Sequence, residues 1–114
     1  SLDEKIALEV SQKASQCERV MVILDSNHTH EHVLGELNLY ASLVSVGSYC
    51  VVFDTVIEEL DGVEFVDRPW GKGNNPKTAV AEFLKTNSDF VVDQAIDEKL
   101  LVSAAPGGYL KRIK

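Results

Sequence analysis

All three histidines of the chain, His28, His30 and His32, fall within five residues. They directly follow the apolar run "VMVIL" (20–24) and the acid Asp25. A second apolar run, "YCVVF" (49–53), also ends on an acid, Asp54. Two carboxylates offer hard oxygen ligands of the kind Mg²⁺ takes together with water. A histidine adds either a base that titrates near neutrality or a nitrogen ligand. Three chemistries are open for the cluster. The histidines can ligate Zn²⁺ with Asp25, one of them can act as a general base, or they can form a helix start capped by Asn27 or Thr29 with no chemistry. His28 and His32, four apart, can share a helical face that His30 does not. Ser26 can contact a ligand or cap, and each acid can cap the element that follows it.

These residues need elements to hold them. "DEKIALEVSQKASQ" (3–16) spaces Ile6, Val10 and Ala14 four apart, which predicts a short amphipathic helix with Asp3 and Glu4 at its N-terminus. Run 20–24 shows no alternation, the habit of a parallel strand covered on both faces. Helical spacing returns over 30–44 (Val33, Leu34, Leu37, Tyr40, Ala41, Val44) and Gly47 ends it. Run 49–53 predicts a second buried strand. Residues 56–75, with Gly62, Pro69, Gly71 and Gly73, read as a long lid-like loop. Its glycine-rich "WGKGNNPKT" precedes a helix but does not follow a strand, so a hinged lid is favoured over an anion cradle. Asn75-Pro76 reads as a cap and first helical residue for a helix over 77–86. "DFVVD" (89–93) and "KLLVSAA" (99–105) are expected to pair as an antiparallel hairpin, with "PGGYLKRIK" as a tail. The order α-β-α-β-loop-α-β-β predicts one α/β domain over 1–114. In open α/β sheets ligands sit beyond the carboxyl ends of parallel strands, where Asp25 and Asp54 both fall.

Composition excludes several classes. The formal charge is −7, and the densest basic stretch is only Lys111, Arg112 and Lys114, so no nucleic-acid surface is expected. No apolar run approaches the roughly 20 residues a bilayer span needs. Cys17 and Cys50 do not make a disulfide framework and read as reduced thiols of a cytoplasmic protein, Cys50 buried in a strand. The chain begins at Ser1 and its one methionine is Met21, which suggests a removed initiator or a segment of something longer. Neither G-x-S-x-G, G-x-G-x-x-G nor a P-loop is present.

The stretches "VMVILDSNHTHEHVLGELNLYASLVSVGSYCVVFDT", "AVAEFLKTNSDFVVD" and "PGGYLKRI" resemble the cephalosporin hydroxylase / rhamnosyl O-methyltransferase family. The resemblance runs from about Leu2 to Ile113. It implies the carboxyl half of a Rossmann-like, S-adenosylmethionine-dependent methyltransferase sheet: two parallel strands plus an antiparallel hairpin, helices on both faces, the last strand inserted between its neighbours. The family's glycine-rich cofactor loop and ribose-binding acid would precede residue 1. The resemblance implies a metal-binding acid at Asp25 and a Glu-Asp pair at the second strand's end. Asp54 fits the latter, but Phe53 stands in place of the glutamate. Catechol-type O-methyltransferases carry a lysine base three residues after the acid matching Asp25, and His28 holds that offset here.

The resemblance therefore implies O-methyl transfer to a hydroxyl of a sugar or secondary metabolite, with metal assistance, by a partial chain of weak cofactor affinity. His28 is the expected catalytic base. Asp25 and Ser26 are the expected cofactor contacts, and Asp25 and Asp54 the Mg²⁺ ligands. His32 and Trp70 are candidate substrate or metal contacts. The alternative is a non-catalytic truncated module that binds metal or a partner through 25–32. Asp25, His28 and His32 could also imitate the 2-His-1-carboxylate set of an iron oxygenase, but the surrounding sequence resembles a methyltransferase. Strand 20–24 would present an apolar open edge, a hazard expected to be met by a homodimer, by an absent amino half, or by helix 3–16 folding over it.

Overall fold

The computed structural model describes residues 1–62 and 65–114. Val63 and Glu64, within the predicted lid-like loop, lie outside the described residues. The elements run α1 (Glu4–Ala14), β1 (Val22–Leu24), α2 (His30–Tyr40), β2 (Tyr49–Val52), α3 (Pro76–Thr86), β3 (Phe90–Val92), α4 (Gln94–Leu100) and β4 (Tyr109–Arg112). Short 3₁₀ turns follow α2 (Ala41–Leu43) and β2 (Thr55–Glu59). The sheet order is β1-β2-β4-β3, with β1 and β2 parallel and the other pairings antiparallel. This is the α/β arrangement expected, with the last strand inserted between β2 and β3.

The helices start where their sequences ask. Asp3 accepts from the Lys5 and Ile6 amides at the head of α1. Thr29 caps α2 by accepting from the His32 amide. Asn75 and Thr78 form a reciprocal capping box on α3, with Pro76 at its first turn. Val33 and Leu37 of α2, Ala41 at the start of the 3₁₀ turn, and Ala79, Val80 and Phe83 of α3 meet Leu24, Cys50, Val52, Phe90 and Leu110 in one core. Burial pushes the Cys50 thiol up to about 12, so it stays protonated.

Two expectations need correction. Residues 99–105 form no strand. Asp93 accepts from the Ala95 amide and starts α4, which runs to Leu100. Leu101 and Val102 then stand 86% and 89% exposed, so this apolar run is not core. The strand lies instead in the stretch read as a tail. Only Leu110 of β4 is fully buried, between half-exposed Tyr109 and Lys111. That single inward side chain is too weak a period-2 signal to read. Likewise β1 is covered on one face only. Leu24 is buried, whereas Ile23 is 53% exposed. Helix α1 buries none of its own residues and leaves Ile23 and Met21 in the open.

The "PGG" preceding β4 has a steric purpose. Gly107 sits at φ +69°, a conformation that favours glycine. At Gly108 a Cβ would stand 2.2 Å from the Val52 carbonyl oxygen. The Gly108 carbonyl accepts from the Val52 amide at 2.8 Å, carrying the pairing with β2 one residue ahead of β4. Gly108→Ala is expected to cost roughly 2–3 kcal/mol, since the clash is with backbone that cannot step aside. A lowered urea midpoint at unchanged slope checks it.

Candidate functional site

Register decides where the two acids fall. Leu24 pairs with Val52, and the Phe53 amide donates to the Leu24 carbonyl at 3.1 Å. Both strands leave the sheet at the same end, and Asp25 and Asp54 follow within two residues. Asp54 takes a left-handed backbone, φ 59° and ψ 21°. Aspartate tolerates this better than most residues, yet it remains uncommon and is typical of functional sites. The turn brings Asp54 Oδ2 to 3.0 Å from His28 Nε2. Among the described residues, Asp25, His28 and Asp54 bring one donor atom each within 4.8 Å of one another. Asp25 is exposed, His28 and Asp54 partly buried.

The three histidines part company. Helix α2 begins at His30, so His28 precedes the cap and shares no helical face with His32. His28 meets the Trp70 ring edge-on, centroids 4.8 Å apart at 85°. His30 bridges α2 to α3: its amide donates to Asn74 Oδ1, its Nδ1 lies 2.8 Å from Thr78 Oγ1, and its Nε2 contacts Glu82. It serves packing. His32 turns to Ser26 Oγ (3.2 Å) and Glu36 Oε1 (3.4 Å). His32 lies outside the Asp25–His28–Asp54 group, so the imitation of a 2-His-1-carboxylate set is not assembled.

A cleft of about 520 Å³ opens beside His28 and Asp54, with Ser26, Phe65, Arg68 and Trp70 on its walls. The Arg68 guanidinium stands 5.4 Å from the Trp70 ring centroid, within cation–π reach. Phe65 and Arg68 were not foreseen from sequence, where Ser26 and Trp70 drew notice. The unassigned charge of Arg68 two residues from a tryptophan was the available signal.

The glycine-rich stretch 71–75 is tied down by hydrogen bonds. Gly71 and Asn74 pair backbone to backbone. Glu58 accepts from the Gly73 amide at 2.8 Å and from the Asn75 side-chain amide. Those amides are therefore spent on Glu58 rather than free for an anion. The Gly73 and Asn75 hydrogen bonds hold the Glu58 carboxyl below its ordinary range.

Parallel β1 and β2, with the antiparallel last strand inserted beside the second, form a partial Rossmann-like α/β sheet. Beyond its end His28 and Asp54 line the cleft, and exposed Asp25 brings a donor atom within 4.8 Å of theirs. The chain belongs to the Rhamnosyl O-methyltransferase/CmcI family, whose profile matches residues 1–113. It is 30% identical over 114 residues to the rhamnosyl O-methyltransferases of Mycobacterium tuberculosis (strain ATCC 25618 / H37Rv) and Mycobacterium bovis (strain BCG / Pasteur 1173P2). The match covers 98% of this chain and 44% of each relative, so the chain spans under half their length. No solved structure matches the chain. Among the described residues no helix is long and apolar enough to cross a membrane.

Because its folded pKa is depressed, Glu58 stabilises the fold above its unfolded value near 4.5, and this is lost as pH falls through the folded value. Glu58→Ala is expected to cost about 1–2 kcal/mol at pH 7 through two lost hydrogen bonds. The gap between variant and parent should narrow as pH falls below about 4.5, read from urea midpoints across pH.

Proposed function

We propose that the chain supplies the acceptor side of an S-adenosylmethionine-dependent O-methyltransferase acting on a hydroxyl of a sugar or secondary metabolite. The observation that carries this is the His28–Asp54 contact of 3.0 Å at the carboxyl ends of two parallel strands. The names of the mycobacterial relatives favour a sugar acceptor.

Bound S-adenosylmethionine supplies an electrophilic sulfonium methyl group. His28 takes the proton from the acceptor hydroxyl. Asp54 accepts the His28 Nε2–H, fixes that tautomer, leaves Nδ1 as the basic atom and stabilises the imidazolium that forms. Asp25 and Ser26 flank the cofactor side. Ser26 donates to Glu36 Oε1 at 2.7 Å and its oxygen meets His32 Nε2 at 3.2 Å, which leaves one lone pair as an acceptor. Trp70 buttresses the imidazole, and with Arg68 it gives the acceptor ring an apolar, cationic wall. Orienting the hydroxyl against the methyl is worth more than any single contact. The two free thiols suit a cytoplasmic setting.

A second reading rests on the donor atoms themselves. Adjacent ligands of a six-coordinate ion with bonds of about 2.1 Å lie ~3.0 Å apart. His28 Nε2 and Asp54 Oδ2 have that separation, and an Asp25 donor atom lies within 4.8 Å of both, so the three residues could surround a divalent cation such as Mg²⁺ with Asp25 and Asp54 as its carboxylates. Phe53 provides no third carboxylate. If His28 Nε2 joins the ligands, Nδ1 carries the proton and His28 is no longer the base, so the two roles exclude each other.

Titration calorimetry of the chain with S-adenosylmethionine, with and without Mg²⁺, is expected to show weak saturable binding that Asp25→Asn reduces. No heat at millimolar cofactor under either condition would leave the chain as a non-catalytic binding module. In the polypeptide that carries activity, His28→Ala is expected to lower turnover about 10²–10⁴-fold with little change in cofactor affinity. Unchanged turnover removes His28 as the base.

A further inference from the structure

The cleft beside His28 carries one charge to which proton removal gives no task. Among the described residues its lining is apolar over Val56, Ile57, Leu60 and Phe65, and Arg68 is its one permanent cation. The stretch 56–77 holds three cations, Arg68, Lys72 and Lys77. Lys72 is paired to Asp61 and Lys77 to Glu59. Among the described residues the Arg68 guanidinium enters no ion pair, and Asp54, the acid of the cleft, is engaged by His28. Arg68 stands instead over the Trp70 ring, 5.4 Å from its centroid. A guanidinium held over an aromatic face by cation–π attraction keeps its in-plane N–H donors for another partner. Trp70 also sets the spacing. Its ring lies 4.8 Å from the His28 ring, so imidazole and guanidinium are no farther apart than these two distances laid end to end. With a hydrogen bond at each end, one monosaccharide ring spans that gap.

We propose that Arg68 selects an acceptor sugar that carries a carboxylate, as a uronic acid does. The planar fork of its guanidinium takes both carboxylate oxygens, while His28 faces the hydroxyl to be methylated. This rests on the methyl-transfer reading and names the class of its acceptor. Arg68 fixes which sugar enters and takes no part in the proton transfer. A carboxylate fits better than a phosphate on two counts. The Gly73 amide and the Asn75 side chain, the loop donors that would cradle a phosphate, are spent on Glu58. Asp25 and Asp54 at the strand ends also repel a dianion more than a monoanion.

Trp70 is the one tryptophan of the chain, so intrinsic fluorescence reads the cleft directly. The chain is titrated, without cofactor, with the methyl glycosides of glucuronic and galacturonic acid, with those of glucose and galactose, and with glucose 6-phosphate. The binding midpoints are compared. At least one uronoside is expected to bind about tenfold more tightly than its neutral counterpart. Arg68→Gln should erase that difference by weakening the uronoside alone. Arg68→Lys, which keeps the charge but loses the fork, should restore only part of it. Arg68 is exposed, so both variants should keep the circular dichroism of the parent. Equal midpoints for acidic and neutral sugars overturn the proposal. So does the lack of a saturable change with either uronoside at tens of millimolar, or a preference that survives Arg68→Gln. Tighter binding of glucose 6-phosphate overturns the choice of carboxylate. The methyl-transfer reading fails separately, through turnover unchanged by His28→Ala, and no fluorescence midpoint depends on that result.

Discussion

The parallel pairing of β1 with β2 is the constraint on which the site depends. Val22, Ile23 and Leu24 stand level with Cys50, Val51 and Val52, and Phe53 adds one more bond to Leu24. A shift of one residue would turn Leu24 out of the core and move Asp25 away from Asp54 together. The core enforces that register, because Leu24, Cys50 and Val52 all reach the α2–α3 stripe. Hydrophobic packing on one face of a short sheet thus sets the distance between two polar groups beyond its end. Antiparallel β4 secures β2 from the other side, with Gly108 pressed against the Val52 carbonyl.

The histidine cluster that stands out in the sequence resolves into three unrelated positions. His28 lies ahead of the helix and faces the cleft. His30 ties two helices together, and His32 backs onto Ser26 and Glu36. By spacing alone His28 and His32 can share a helical face. The helix boundary decided otherwise, because Thr29 caps α2 and places the two on different kinds of backbone. A difference of two residues in a helix start therefore moves a side chain from a shared face to a separate site.

Much of the fold was legible because its signals were local. Asn75-Pro76, the 3.6-residue stripe of α2 and the unbroken apolar runs each named their element. The last strand was not legible, since β4 owes its place to partners on both sides rather than to its own pattern. The run 99–105 looked like a strand only by hydropathy. Asp93 as a cap starts a helix that takes in only Lys99 and Leu100 of it, and the rest of the stretch forms no regular element. The acids were legible as strand-end residues. Their convergence depends on Asp54 adopting a left-handed turn, which no composition rule foretells. Glu36 was legible in principle: it stands among Val33, Leu37 and Tyr40 at inward spacing, where a carboxylate has no ordinary business.

The contrast between the two cysteines reaches beyond stability. Cys50 is sealed inside β2 and remains a thiol far above neutral pH, whereas Cys17 is exposed just past the end of α1. At neutral pH a thiol-reactive dye therefore meets a single addressable sulfur. The chain carries its own attachment point for a fluorophore or spin label, without any engineered substitution.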